Sequence, residues 1–409
     1  MKRRNLYTTG AVLTALTGLT VSNGAAAAFV EDTAVKMELK NYYLDRRYTK
    51  NDTTEGNWSQ AIDLTVSSGY TDTKVQVALD INTTDAIVFD SEGNDGSLPL
   101  DEDGEAVDNY GRLGATLKLK YSNTLLSIGD YRPHLPVAWD DTSRVLDTIY
   151  EGAVIESKEV EGLDLKAGVF WKAVTRNSSD KEKFYVYKGQ DENRSDGLYF
   201  AGASYNFSKA FSGTYYYGQL KDFYTQNTYA LAYKDKFGST GVSYDLRYLD
   251  YANDGKAYGG DDMDVDVLST GLSLANGNHK LRLSYQSIDG ERAVPTLNGY
   301  VPQPYTLHWS SAAFIMPDER STGIRYGYDF KDVGAPGLSL FTQYIFGKGI
   351  DVAGGEHEHQ SERDIYLTYA VQNETLKGLS FSARDMWIDR SWTSGFREFR
   401  FITTYTRQF

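Results

Sequence analysis

The sequence predicts an all-β protein, a transmembrane antiparallel β-barrel of about eighteen strands. Three observations carry this. Segments with apolar residues at every second position succeed one another along most of the 409 residues. The connections between them sort into a short set and a mostly long set that alternate along the chain. The composition has the aromatics of a membrane rim without the aliphatics of a soluble core, with 32 Tyr, 18 Phe and 6 Trp at a mean hydropathy of −0.48. Tyrosine suits a surface that is apolar on one side and wet on the other.

The N-terminus reads as an export signal. Lys2, Arg3 and Arg4 precede the short apolar run Ala11–Val21, and small residues follow up to Ala27 and Ala28. That run is too short to span a bilayer. Residues 1–28 are therefore expected to be removed, leaving 29–409 as the barrel, and the formal net charge moves from −14 to −17 with the three lost cations. No later stretch reaches the ~18 apolar residues of a spanning helix. Such acidity argues against nucleic acid as a partner, and the absence of cysteine excludes disulfides and thiolate metal sites.

Eighteen strands are expected at 33–48, 58–69, 72–88, 110–121, 124–132, 148–159, 163–174, 196–207, 210–222, 224–235, 239–252, 263–275, 278–290, 318–331, 337–347, 362–373, 378–390 and 396–409. Most have the ~9–11 residues that a tilted strand needs to cross a bilayer. The short turns include "SNT" at 122–124, "NGN" at 276–278 and "NETLKG" at 373–378. The long outer loops are 49–57, 89–109, 133–147, 174–195, 252–262, 291–317 and 348–361. Loop 89–109 is acidic and Gly-rich, as a solvated loop would be.

Period two then decides which way each side chain faces. In "RLGATLKLKYS", Leu113, Ala115, Leu117 and Leu119 share one face, and Arg112, Thr116, Lys118 and Lys120 share the other. A Lys or Arg against lipid at mid-depth costs about 2–4 kcal/mol, so the charged face looks into the lumen. The same rule turns Lys36, Glu38, Lys40, Arg46, Lys166, Lys172, Arg282, Arg325 and Arg400 inward. The last segment, "REFRFITTYTRQF", is amphipathic and stops on Phe409. An exposed edge of that kind is a liability in a soluble sheet, and closing a barrel removes it.

Two sets of motifs carry a family resemblance. One is "RLG", "LPV", the "EGL" turn and "RNSSD", in order between Arg112 and Asp180. The other is "MELKNYYLDRR", "SGYT", "ERDIYLTYAVQ" and "LSFSAR". In order and spacing the chain resembles the OprD family of substrate-specific outer-membrane porins. The resemblance implies a usually monomeric 18-stranded barrel whose loop after the fifth strand folds inward. It also implies a ladder of lumen cations that guides carboxylates. By position Lys40, Arg46, Arg112, Lys120, Arg384 and Arg400 match ladder sites, and the facing rule adds Arg282 and Arg325. Ser382 and Tyr366 stand where an arginine and a lysine occur in family members, which thins the ladder. The constriction falls on loop 133–147. Pro133 and Pro136 stiffen it, Leu135 and Trp139 give it an apolar side, and Asp140, Asp141 and Arg144 give it charge.

The function expected is passive, selective diffusion of small carboxylate-containing solutes, without catalysis or cofactor. The expected partners are outer-membrane lipid, lipopolysaccharide and the barrel-assembly machinery. Other readings are weaker. Each ladder cation has an alternative role as an ion-pair partner of a wall carboxylate such as Glu38 or Asp63. His357 and His359 lie on a Gly-rich tip and read as solvated rather than as metal ligands. His134, Asp141 and Ser143 contain the residue types of a hydrolytic triad but no evidence of its geometry. An enzyme or adhesin on a barrel scaffold is the alternative class, and a soluble secreted β-protein the last.

Overall fold

The computed structural model describes residues 29–186, 193–255, 263–300, 304–352 and 355–409. The expected export signal lies outside them. Eighteen antiparallel strands form one closed sheet. They are β1 (Ala34–Tyr48), β2 (Thr54–Ser67), β3 (Gln76–Glu92), β4 (Asn109–Tyr121), β5 (Thr124–Tyr131) and β6 (Ile149–Ser157). Next come β7 (Leu163–Val174), β8 (Leu198–Asn206), β9 (Phe211–Leu220), β10 (Tyr224–Phe237), β11 (Thr240–Asn253) and β12 (Asp264–Asn276). The last six are β13 (His279–Asp289), β14 (Arg320–Asp329), β15 (Leu338–Val352), β16 (Gly355–Ala370), β17 (Leu379–Arg390) and β18 (Phe396–Gln408). Every strand expected from period two is present, most within a few residues of its expected bounds.

Each strand pairs with its neighbours in sequence, and β18 pairs with β1 from Lys36↔Gln408 to Tyr48↔Phe396. Phe409 continues this seam by exchanging both backbone hydrogen bonds with Val35. The terminal strand is thus paired on both sides. At the short-turn end, Gly378 has φ +96°, and a Cβ there would lie 2.0 Å from the Thr406 carbonyl oxygen, so only glycine fits.

The outer connections depart from expectation in two ways. The expected loop 348–361 is mostly strand, because β15 and β16 run on beyond the band with register shifts at Lys348/Ile350 and Ile350/Val352. Loop 89–109 is not wholly solvated either, since Leu98 is buried with Tyr110, Val145 and Leu146.

Outward side chains such as Trp58, Phe89, Leu113, Tyr229, Leu283, Ile324 and Phe401 are exposed, as a lipid-facing belt requires. The hydrophobic core lies inside the barrel. Its two clusters join lumen-facing wall residues to apolar residues of the long loops. Residues 396–409 supply both the last strand and half of the seam. Their deletion is expected to abolish the heat-resistant, fast-migrating form in unheated SDS gels, and a truncated chain that kept that form would contradict this closure.

Candidate functional site

Loop 133–147 crosses the lumen. Its first part is a small hairpin, with His134 opposite Trp139 and Leu135 opposite Ala138, set up between Pro133 and Pro136. The Pro136 carbonyl accepts from Gln226 Nε2 of β10 at 3.0 Å. Val137 lands on Gly218 of β9, where a Cβ would be 2.8 Å from Val137 Cγ1. The other end meets the opposite wall. The Ser143 carbonyl accepts from Tyr42 Oη of β1 and Arg400 Nη1 of β18, both at 3.4 Å. The Arg144 carbonyl accepts from Lys40 Nζ at 3.3 Å. In an 18-strand barrel β9 and β10 stand across from β1 and β18, so the loop spans the diameter.

Loop 291–317, expected to be an outer loop, also folds inward. Val294, Leu297, Tyr305, Leu307, Ala312, Phe314 and Ile315 are buried in the larger lumen cluster. Each large apolar side chain gains about 1.5–3 kcal/mol by leaving water, which acidic loop 89–109 cannot match. Apolar content in "AVPTLNGYVPQPYTLHWSSAAFIMP" was the available signal.

The buried backbone of that loop needs partners, and the wall supplies them by charge. Arg247 donates to the Pro304 carbonyl, Arg282 Nε to Thr306 at 3.2 Å and Arg325 Nη2 to His308 at 3.0 Å. On the next stretch the N–H groups of Ser310, Ser311 and Ala312 converge on the Glu362 carboxylate at 2.6, 2.9 and 2.5 Å. Arginine faces hold carbonyls, and a buried glutamate holds amides.

The cations expected from sequence therefore divide. Lys40, Arg46, Arg384 and Arg400 lie on adjacent strands along one wall, Arg384 directly opposite Arg400. Arg400 is 1% exposed. It donates through Nε to Glu398 at 2.5 Å and through Nη2 to Ser311 Oγ at 2.9 Å. Arg46 shares Glu398 at 2.7 Å and reaches Glu55 at 2.9 Å. Lys40 stands 3.4 Å from Asp147. Arg112 is buried with donors to the carbonyls of Asp147, Thr175 and Ser178. Arg282 pairs with Asp245 at 3.0 Å, and Arg325 donates to Gln343 Oε1. Arg384 has no carboxylate partner among the described residues; it donates to Ser382 Oγ at 3.2 Å and lies 5.0 Å over the Tyr366 ring. Lys120 sits 5.6 Å over the Tyr70 ring near the short-turn end. Asp63 pairs with Arg132 rather than with any of these.

Within the crossing loop, Asp141 accepts from the Ser143 N–H at 2.8 Å and pairs with Arg176 at 2.6 Å. That ties it to loop 174–195 and separates it from His134, so no triad forms. Asp140 is buried, with Oδ1 3.2 Å from His134 Nε2 but out of hydrogen-bond geometry. Burial pushes its carboxyl up to about 6; His134 opposes the rise and Asp147 adds to it. Burial, then Arg400, lowers the Arg144 guanidinium to about 10, so it stays charged at neutral pH. Its Nε is buried without a hydrogen bond. His308 is held neutral, lowered to about 3 by burial and by Arg325, Arg247 and Arg282. Beside the hairpin opens a cavity of about 650 Å³ lined by His134, Trp139, Lys166, Tyr216, Lys234 and Arg247 among others.

Arg132, Arg176 and Arg247 were not singled out from sequence, although Arg247 obeys the facing rule in "DLRYLD". Nothing local distinguishes Glu362 and Glu398 from solvated carboxylates.

A closed barrel whose lumen is crossed by loops pinned to charged walls has the architecture of the outer-membrane porin class. The family model for "outer membrane porin, OprD family" matches residues 27–409, and the chain belongs to that family. It is 28% identical to the porin-like protein GalP of Pseudomonas putida over 93% of each chain. The structure of Pseudomonas aeruginosa OpdK with vanillate covers 93% of this chain and all of its own, at 31% identity and a TM-score of 0.89. That of Pseudomonas aeruginosa OccK2 (OpdF) in complex with glucuronate covers 93% of this chain and 99% of its own, at 27% identity and a TM-score of 0.85. The place of the protein is the bacterial outer membrane, and the relatives it matches are channels, not enzymes.

Two outcomes are expected. Deleting residues 137–143 removes the crossing segment while leaving the wall, so single-channel conductance should rise several-fold; unchanged conductance from an intact barrel would contradict the crossing. The second concerns Asp140. Its folded-state pKa is raised, so its contribution to the docked loop is complete below the ordinary carboxylate range and is lost as pH rises through about 6. Planar-bilayer recordings across that range should show anion selectivity falling and loop noise growing as pH rises. Asp140→Asn should flatten both.

Proposed function

We propose that this chain mediates passive, substrate-selective diffusion of small carboxylate-containing solutes. The observation that carries the reading is Arg384. It is a lumen cation with no carboxylate partner among the described residues, next to Arg400 and on the wall that holds the far end of the crossing loop. A guanidinium with donors left over accepts a carboxylate bidentately, and conduction requires that each such station release what it takes. Lys40, half-buried with its ammonium at 3.4 Å from Asp147, is the next cation along that wall, and the buried Arg144 acts through its field. Lys120 receives the solute toward the short-turn end. Arg46, Arg112, Arg282, Arg325 and Arg400 act chiefly on the path by holding the loops and by their field. The vanillate and glucuronate named with two similar porins are both carboxylates, which supports the class. Residues 1–28 serve export, the assembly machinery inserts the chain, and it works as a monomer with the narrowest point at loop 133–147.

Arg384→Gln separates charge from shape. Uptake of small carboxylates into reconstituted vesicles should fall about tenfold or more, as expected from one lost charge-assisted contact. Uptake of neutral sugars should hold, and the contrast should be largest at low ionic strength. Equal loss for both solutes would assign Arg384 to the barrel's structure, and no loss would move the path elsewhere. Arg400→Gln is a different experiment, because it removes one of the two guanidinium partners of the buried Glu398 carboxylate and leaves Arg46 as the other. It should cost about 1.5–3 kcal/mol of stability, read as a lowered heat-modification temperature, with Arg400→Gln/Glu398→Gln recovering part of it.

A further inference from the structure

Charged residues also face out of the barrel, toward lipid, and three of the arginines among them share one row. Arg47 of β1 is the cross-strand partner of Arg397 on β18, Arg397 of Trp387 on β17, and Trp387 of Arg363 on β16. These four residues form one row across four adjacent strands. Their alternation with the lumen residues Arg46, Glu398 and Glu362 puts all four on the outer surface. The exposed side chains of Arg47 and Arg397 confirm it, at 71% and 58%.

Depth along the membrane normal follows from β18. Its outward face runs Arg397, Phe399, Phe401, Thr403, Tyr405, Arg407. Ten residues at about 3.3 Å rise and ~40° tilt span about 25 Å, the height of the apolar band of such barrels. The two arginines bracket that band, and Arg397 marks its outer rim. There a cation costs about 0–1 kcal/mol, against 2–4 at the midplane.

The row is built to hold an anion. Asp45 takes Nε and Nη2 of Arg47 at 3.0 and 3.3 Å, and Asp385 takes the same atoms of Arg397 at 2.9 and 3.1 Å. Each guanidinium is thus fixed by one edge while its Nη1 has no partner among the described residues and can donate outward. Arg363 makes no ion pair among the described residues and lies 4.3 Å over the Trp387 ring, with Arg397 at 5.2 Å from the same ring. The indole thus sits between two cations in the row and holds both by its face. Beside Arg47 and Arg397 an outward groove of about 370 Å³ is walled by Tyr43, Phe399 and Asp45. It offers apolar rings below for acyl chains and guanidinium groups above. Three outward carboxylates oppose an anionic ligand: Asp45 and Asp385, one row inward and each paired with an arginine of the row, and Asp389, one row further out.

We propose that Arg47, Arg363 and Arg397 form a binding site for the phosphorylated saccharide headgroup of the outer-leaflet lipid, on the β16–β18/β1 flank of the barrel. Phosphate oxygens take the free guanidinium donors, and the acyl chains lie along Tyr43 and Phe399. The site shares no residue with the solute path.

Native mass spectrometry of the detergent-purified full chain tests this with bis-phosphorylated lipid A, the same lipid after enzymatic dephosphorylation, and inorganic phosphate as competitor. The phosphorylated lipid should bind. Arg47→Gln/Arg363→Gln/Arg397→Gln should weaken it by at least about tenfold, Arg407→Gln at the opposite rim should leave it unchanged, and Asp389→Asn should tighten it. Heat-modifiability and single-channel conductance verify that each variant is folded; if the triple variant does not assemble, each single substitution must weaken binding. Equal binding by wild type and variants, equal binding of the dephosphorylated lipid, or an equal loss with Arg407→Gln would overturn the site. Complete displacement by millimolar inorganic phosphate would overturn its assignment to a lipid.

Discussion

The constraint on which the structure turns is that backbone carried into the lumen must find hydrogen-bond partners there. A peptide group buried without one costs free energy on the scale of the apolar burial that drew it in. Loops 133–147 and 291–317 are drawn in by apolar side chains. They are then satisfied by wall charge sorted by type: Arg247, Arg282, Arg325, Arg400 and Lys40 on carbonyls, Glu362 on amides. The wall must therefore be charged whether or not any solute passes. Small lumen residues complete the fit, as where Leu307 lands on Gly323 and a Cβ would be 2.8 Å away.

That explains how much of the molecule could be read from the chain. Strand count, facing and the closing role of the last strand are local or nearest-neighbour properties. Period two along each segment, the last amphipathic one included, contains them. The inward course of loop 133–147 entered through family resemblance and its own prolines and Trp139. Loop 291–317 was misread because loop length signals exposure only when the loop is polar, and this one buries Tyr305, Leu307 and Phe314. The alternation rule found the cations but not what each does. Arg384 and Arg400 look alike in sequence. One has no acid partner among the described residues, while the other is locked between Glu398 and Ser311; the Glu398 two positions before it is visible in the chain, the Ser311 89 positions away is not.

Glu398 shows the energetic balance most clearly. It is fully buried and held by Arg46 and Arg400, while Ser311 Oγ donates to it at 3.0 Å. A buried pair of this kind adds little net stability against an apolar replacement, yet losing one member leaves an unpaired charge. Its value here is positional. It fixes two guanidinium groups and one loop hydroxyl at a single level of the wall, beside Arg384, the cross-strand partner of Arg400.

The double hold on the Ser143 carbonyl has a consequence for assembly. Tyr42 belongs to the first strand and Arg400 to the last, so this anchor does not exist until the two ends of the sheet have met. The opposite anchor, on Gln226 and Gly218, is available as soon as the middle strands have formed. Loop 133–147 must then wait, tethered at one side, while the remaining strands are laid down. Chain order alone thus makes the seam and the gate one event: a barrel that has not closed has no gate, and a gate fully seated is the sign that closure is complete.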